Sequence, residues 1–193
     1  MNTPRATPAD RLMEMMPEIR QIQAAALREQ VVQCWLDALG AGGWAPEDLA
    51  VLPASLRLTD RPFRLVHHVR GVAQMAMAAH RIFGTLYGDG ALRLDPDVLL
   101  AGALLHDVGK PMEFARVDGA WRLSDSARSF RHPFGGFAVA ARHSLPPEVL
   151  EIIAYHSTEG QGFPRSAEDT VIHLADDLNF APFFAGHTPA RPG

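Results

Sequence analysis

The run 98–105, VLLAGALL, is the most apolar stretch of the chain, and His106-Asp107-Val108-Gly109-Lys110 follows it directly. An imidazole and a carboxylate therefore sit together where a helical core should be apolar. Burying a carboxylate without compensation costs several kcal/mol. A divalent cation would offset that cost and take both groups as ligands. Lys110 stands at i+4 from His106 and i+3 from Asp107, so helical spacing projects it over the same place. An ammonium cannot ligate a metal, but it can hold an anionic group such as phosphate. The bland alternative is a His106–Asp107 hydrogen bond with Lys110 as a cation at a helix C-terminus. Lys110 is the only lysine among 18 basic residues.

Further histidines fall at comparable places. Helical periodicity puts His68 on one stripe with Val72, Met75, Ala79 and Phe83, the core face, and His67 with Gly71, Gln74 and Arg81 on a more polar one. A neutral histidine on a core face needs a hydrogen-bond partner or a metal; a lone one is more often a satisfied core residue than a ligand. His132 precedes Pro133 at a helix start. His156 closes the stripe Val149, Ile152, Ile153. Near the C-terminus, Asp176 and Asp177 flank the expected core stripe of Val171, Leu174, Ala175 and Leu178, and periodicity does not choose between them. His80, His143, His173 and His187 have no such context and read as surface or capping residues. Arg131, Arg128 and Arg70 lie near these motifs and could add contacts to an anion, Arg131 first among them.

The elements that must position these groups are helical nearly throughout. Thr7-Pro8-Ala9-Asp10 has capping-box spacing with proline at the first helical position. Pro17 interrupts, and a helix is expected over about Glu18–Leu39, ended by Gly40, Gly42 and Gly43. A short helix near Pro46–Val51 leads into a loop, Pro53–Pro62. Helices are expected over about Phe63–Phe83, from Asp95-Pro96-Asp97 to Gly109 or Pro111, and over Pro133–Arg142, Pro147–His156 and Ala167–Leu178. Ser166 and Asp169 form a capping pair for the last. The exception is a small β-hairpin near 112–124, with Asp118-Gly119 as its turn. The tail Ala181–Gly193 is rich in proline and glycine and is expected to fray.

Composition narrows the function. The 193 residues fit one domain, long enough to bury a core without disulfides. Cys34 is the one cysteine, so no intramolecular disulfide can form. A net charge of -4 argues against general binding to nucleic acid or an anionic membrane. Apolar runs stay far below the ~20 residues a bilayer span needs, and no signal peptide is legible. The expected setting is cytoplasmic.

The order His68, His106-Asp107, His132, His156, Asp176 resembles the HD-domain superfamily of metal-dependent phosphohydrolases. The matching elements are His68 with Val72-Ala73, Leu104-Leu105-His106-Asp107-Val108-Gly109-Lys110, His132-Pro133 with Gly136, Ile153 with His156, and Leu174-Ala175-Asp176. The resemblance implies an all-α, HD-domain-like helical bundle with metal at its centre. It divides the chain into an N-terminal helical extension (1–60) packing on the core, an HD domain (61–180) and a flexible tail (181–193). It implies that His68, His106, Asp107 and Asp176 hold one metal, and that Asp107 bridges to a second completed by His132 and His156. It thereby selects Asp176 over Asp177. The cofactors implied are two divalent transition metals, Fe, Mn, Co, Ni or Zn, with Mg also compatible. Asp107 and Lys110 would be catalytic, and Lys110 and Arg131 would contact a small anionic phosphorylated substrate. The activity implied is hydrolysis of a phosphate monoester or diester, such as a nucleotide, by a metal-bound hydroxide. Two alternatives remain open: an HD-fold diiron oxygenase resembling myo-inositol oxygenase, and a non-catalytic nucleotide-binding module. The amphipathic segment Glu18–Leu39 could cap the bundle or form a homodimer contact.

Overall fold

A computed structural model describes residues 6–59, 63–88, 90 and 92–185. The fold is all-α apart from one hairpin. Helix α1 is Pro8–Met15, α2 Ala25–Gly42, α3 Leu65–Tyr87, α4 Pro96–Leu105, α5 Lys110–Glu113, α6 His132–Ala140, α7 Pro147–Tyr155 and α8 Ala167–Phe180. Strands β1 (Phe114–Val117) and β2 (Ala120–Leu123) pair antiparallel, with Phe114 opposite Leu123 and Val117 opposite Ala120. The turn between them places Asp118 and Gly119 at positive φ, the conformation a two-residue hairpin loop requires.

Helix α4 is the axis of the bundle. Asp95 caps it by accepting from the amides of Asp97 and Val98, and Pro96 occupies its first turn. Every residue from Leu99 to Leu105 is buried, because α2, α3, α7 and α8 all pack around it. Each buried leucine contributes about 1.5–3 kcal/mol. The N-terminal region shares this core: one apolar cluster runs from Leu12 and Trp35 through Leu104 to Ile152 and Ile172. Two indoles then grip the segment that carries the chemistry. Trp35 Nε1 donates to the Leu104 carbonyl at 2.9 Å and Trp44 Nε1 to the Pro111 carbonyl at 2.8 Å.

Several local expectations are corrected. The second helix starts at Ala25, not Glu18: Pro17–Gln21 is a 3-10 turn, and the amides of Gln23 and Ala24 are taken by the Asp97 carboxylate. Helix α3 runs on to Tyr87, and α4 stops at Leu105, with His106–Gly109 as turns. On α8 the inward face is Asp169, Ile172 and Ala175, whereas Leu174 and Leu178 are 60% and 62% exposed. Ala181–Phe184, read from sequence as tail, is a 3-10 turn whose Phe183 stacks on Phe63 with centroids 4.2 Å apart. Residues 186–193, including His187, lie outside the described residues. No helix among the described residues is long and apolar enough to cross a membrane.

Candidate metal centre

His106 and Asp107 sit where the chain turns out of α4. Gly109 permits that turn to approach α6: a Cβ there would collide with the His132 carbonyl. The close approach brings Asp107 within reach of α6, and α3 and α8 supply the opposite wall. His68, His106, Asp107, His132 and His156 are each 7% exposed or less. The exposed neighbour His67 points away, as its stripe predicts.

Three of the four imidazoles are hydrogen-bonded through Nδ1, and the fourth has a carboxylate beside it. His68 Nδ1 lies 2.8 Å from Asn179 Oδ1, His106 Nδ1 2.7 Å from the Ala103 carbonyl and His156 Nδ1 3.1 Å from the Ile153 carbonyl. His132 Nδ1 faces Glu113 Oε2 at 3.2 Å. An acceptor at Nδ1 keeps a proton there and, in the neutral ring, leaves Nε2 as a lone pair. The Nε2 atoms then converge in pairs, His68 and His106 at 3.3 Å and His132 and His156 at 3.4 Å. Lone pairs so placed in a buried site repel unless a proton or a cation lies between them.

Asp107 joins the two pairs. Its Oδ2 is 3.2 Å from His68 Nε2 and 3.5 Å from His106 Nε2. Its Oδ1 is 3.2 Å from His132 Nε2 and 3.6 Å from His156 Nε2. Asp176 Oδ1 lies 3.1 Å from His68 Nε2, while the Asp177 side chain is 72% exposed. Two overlapping three-ligand groups result, His68–His106–Asp107 and Asp107–His132–His156, each with its donor atoms within 4.8 Å of one another. The donors are imidazole and carboxylate only, a set suited to Mn, Fe, Co, Ni or Zn; Cys34 is buried elsewhere in the core.

The electrostatics follow from this crowding. Burial opposes ionisation of Asp107, but Lys110, His106 and His132 hold its carboxyl well below the usual range. Burial likewise opposes Asp176, and His68 and His106 bring it down. Burial disfavours the His68 imidazolium, yet hydrogen bonds to Asp107 and Asp176 carry it up to about 9. His132 is raised by Asp107 and Glu113 against its burial, whereas burial and the neighbouring imidazoles lower His156. Lys110 is buried beside them; its Nζ donates to the Ala54 carbonyl at 2.7 Å and is ion-paired with Asp107 Oδ2 at 2.8 Å.

The centre opens into a cavity of about 560 Å³. Its walls carry five carboxylates (Asp107, Glu113, Glu159, Asp176, Asp177) against three cations (Arg57, Lys110, Arg131). Leaving the imidazoles aside, the carboxylates outnumber the permanent cations and the wall carries an excess of negative charge. Two divalent ions would reverse its sign, so the donor set and the cavity's charge both fit a metal centre.

The structure thus brings all six sequence-selected ligand candidates and Lys110 together. Arg131 reaches the cavity wall, but its Nε donates to Glu113 Oε1 at 2.7 Å. Arg70 is elsewhere, bound to Glu18 at 2.9 Å, and Arg128 faces Asp125 on the surface. Sequence reasoning missed Glu113, Asn179, Arg57, Glu159 and His173. His173 lines the cavity, and its Nδ1 lies 2.6 Å from the His156 carbonyl. A glutamate between Met112 and Phe114, just past the His106–Lys110 motif, was the available signal for Glu113.

Comparison with known proteins adds to this geometry. The family model for the HD domain matches residues 65–181. The chain is 30% identical over 117 residues to a dihydroneopterin 2',3'-cyclic phosphate phosphodiesterase of Methanocaldococcus jannaschii, covering 60% of this chain and 45% of that protein. It is 26% identical over 169 residues to a Ribonuclease Y of Acidothermus cellulolyticus, covering 86% of this chain and 29% of that one. The chain therefore spans less than half the length of both relatives. No solved structure matches it.

Proposed function

Because the chain belongs to the HD-domain family, we propose that it is a metal-dependent phosphohydrolase acting on a small phosphate monoester or diester of nucleotide size. The observation that carries this reading is the convergence of four Nε2 atoms on the two oxygens of one buried carboxylate. His68, His106, Asp107 Oδ2 and Asp176 would hold one metal, and Asp107 Oδ1, His132 and His156 the other. Two such ions supply a nucleophile at neutral pH and neutralise charge on a phosphoryl group.

The protein's own groups do the positioning. Lys110 is tethered by its hydrogen bond to the Ala54 carbonyl and its ion pair with Asp107, which holds the ammonium at the cavity wall for a substrate oxygen. A cation held in place before the reaction stabilises developing charge without reorganisation. Arg131, half-exposed at the wall and paired with Glu113 and Glu159, would turn the open side of its guanidinium to a second phosphate oxygen. Phe63 closes the back of the site, its ring edge-on to His68 at 5.4 Å, and keeps water from the His68 side. A cavity of about 560 Å³ suits a mononucleotide-sized ligand. The likeness to a cyclic phosphate phosphodiesterase makes 2',3'-cyclic phosphates the first substrates to try.

The test is hydrolysis by metal-free protein reloaded with Mn, Fe, Co, Ni or Zn. Bis(p-nitrophenyl) phosphate, p-nitrophenyl phosphate and 2',3'-cyclic mononucleotides serve as substrates. Cleavage that requires added metal and disappears in Asp107→Ala is expected. Failure to bind any of the five metals would overturn the proposal, as would substrate-dependent O2 consumption by the iron form without ester cleavage.

A further inference from the structure

We propose that Glu113 is a positioning residue that sets the cation affinity of the His132–His156 half of the centre; this rests on the metal-dependent reading above. Glu113 is 5% exposed and ends the short helix α5. Both its oxygens are engaged. Oε1 accepts from Arg131 Nε at 2.7 Å and Oε2 faces His132 Nδ1 at 3.2 Å. Arg131 Nη1 lies 3.7 Å from Glu159 Oε1, and Glu159 Oε2 accepts from the hydroxyls of Ser157 and Thr158. The relay from Ser157 through Glu159, Arg131 and Glu113 therefore starts beside His156 and ends on His132. It braces the His132 imidazole from behind, while the His156 ring rests on the Ile153 carbonyl.

The other half is held differently. Neutral acceptors orient both its rings, the Asn179 amide for His68 and the Ala103 carbonyl for His106, as the Ile153 carbonyl does for His156, so His132 alone of the four faces a carboxylate. A carboxylate against Nδ1–H makes an imidazole a more basic ligand than a carbonyl does, and loss of such a partner typically costs about 10–100-fold in metal affinity. The two halves should therefore respond to different residues.

Calorimetric titration of metal-free protein with Mn2+, with metal content measured after dialysis, reads this directly. Wild type should take two equivalents, and the one lost in His132→Ala identifies the half in question. Glu113→Gln should weaken that equivalent by about 10–100-fold and leave the other within threefold. Glu113→Asp should recover part of the loss. Asn179→Ala should do the reverse, weakening only the His68 equivalent. Circular dichroism checks the fold of each variant. If Glu113→Gln does not fold, Arg131→Gln takes its place, with a severalfold weakening of the same equivalent expected. Two equivalents unchanged in Glu113→Gln would overturn the inference alone, and both weakened alike would reduce Glu113 to a structural role. Wild type that binds no metal would overturn it together with the proposed function.

Discussion

Asp107 and Asp169 are sealed from solvent to the same degree, at 1% and 0% exposure, yet they end in opposite states. Asp107 has Lys110 Nζ at 2.8 Å and four imidazoles around it, and its carboxyl is held well below the ordinary range. Asp169, in the first turn of α8, receives hydrogen bonds at neither oxygen; Arg165 Nε approaches only to 3.4 Å. Burial dominates there and, with Glu151 adding to it, pushes the Asp169 carboxyl up to about 6. Asp107 is the more deeply embedded of the two and is nevertheless the one that stays charged. What differs is the number of positive or hydrogen-donating groups placed within reach, so the partners rather than the depth decide whether a buried carboxylate stays charged. Asp169 is what Asp107 would become without its ring of donors.

The largest effect should come from cancelling that ring's centre. Asp107→Asn keeps the shape but cannot bridge two cations. Metal content should collapse and hydrolysis fall by at least about 10³-fold. In metal-free protein the same change leaves Lys110 buried without its counter-charge, a loss of about 3–5 kcal/mol by denaturant melting. A variant that retained two metals and near-normal turnover would break the comparison. Lys110→Gln should come next. Asp107 loses its nearest cation and the substrate loses an oxygen contact, so kcat should fall by about 10²–10³-fold while metal content holds. Loss of metal in parallel with activity would place Lys110 in the structure of the centre rather than in its chemistry.

Asp169 supplies the opposite case. Its folded pKa of about 6 exceeds the ordinary 3.8, so the native state binds the proton more tightly than the unfolded chain does. Stability from this group is greatest below about pH 4 and falls as pH rises through 6, reaching a plateau above it. A shift of this size corresponds to about 2–3 kcal/mol. Asp169→Asn should therefore stabilise the protein at pH 7.5 by up to that amount and flatten the melting temperature between pH 4 and 6. A stability curve that still fell across this window in the variant would show that another group titrates there.

What the sequence made legible was local. Periodicity separated His68 from His67, because one stripe was apolar and the other was not. Asp95-Pro96 announced the start of α4, and Asp118-Gly119 announced the hairpin turn. The same logic identified the His106–Lys110 segment as chemically out of place in a core. The missed groups are the long-range ones. Asn179 meets His68 across 111 positions and Glu113 meets His132 across 19. Their orientation depends on how helices dock, which no single helix encodes. The start of α2 failed for a related reason: a carboxylate 73 positions away, Asp97, holds the Ala24 amide and displaces the helix start.

The misread face of α8 gives the smallest and most discriminating prediction. Counting apolar residues put Val171, Leu174, Ala175 and Leu178 inward, but Leu174 and Leu178 face solvent. The helix is rotated so that Ile172 and Ala175 are buried and Asp176 and Asn179 both reach His68, at 3.1 and 2.8 Å. Those contacts require the polar pair to face the bundle, and α8 turns its leucines outward as a consequence. Leu174→Ser and Leu178→Ser should each change stability by no more than about 0.5 kcal/mol and leave metal binding intact. Ile172→Ala, fully buried on the opposite face, should cost about 2–5 kcal/mol. If the leucine variants were instead as damaging as Ile172→Ala, α8 would be turned the other way, and Asp176 would lose its place beside His68.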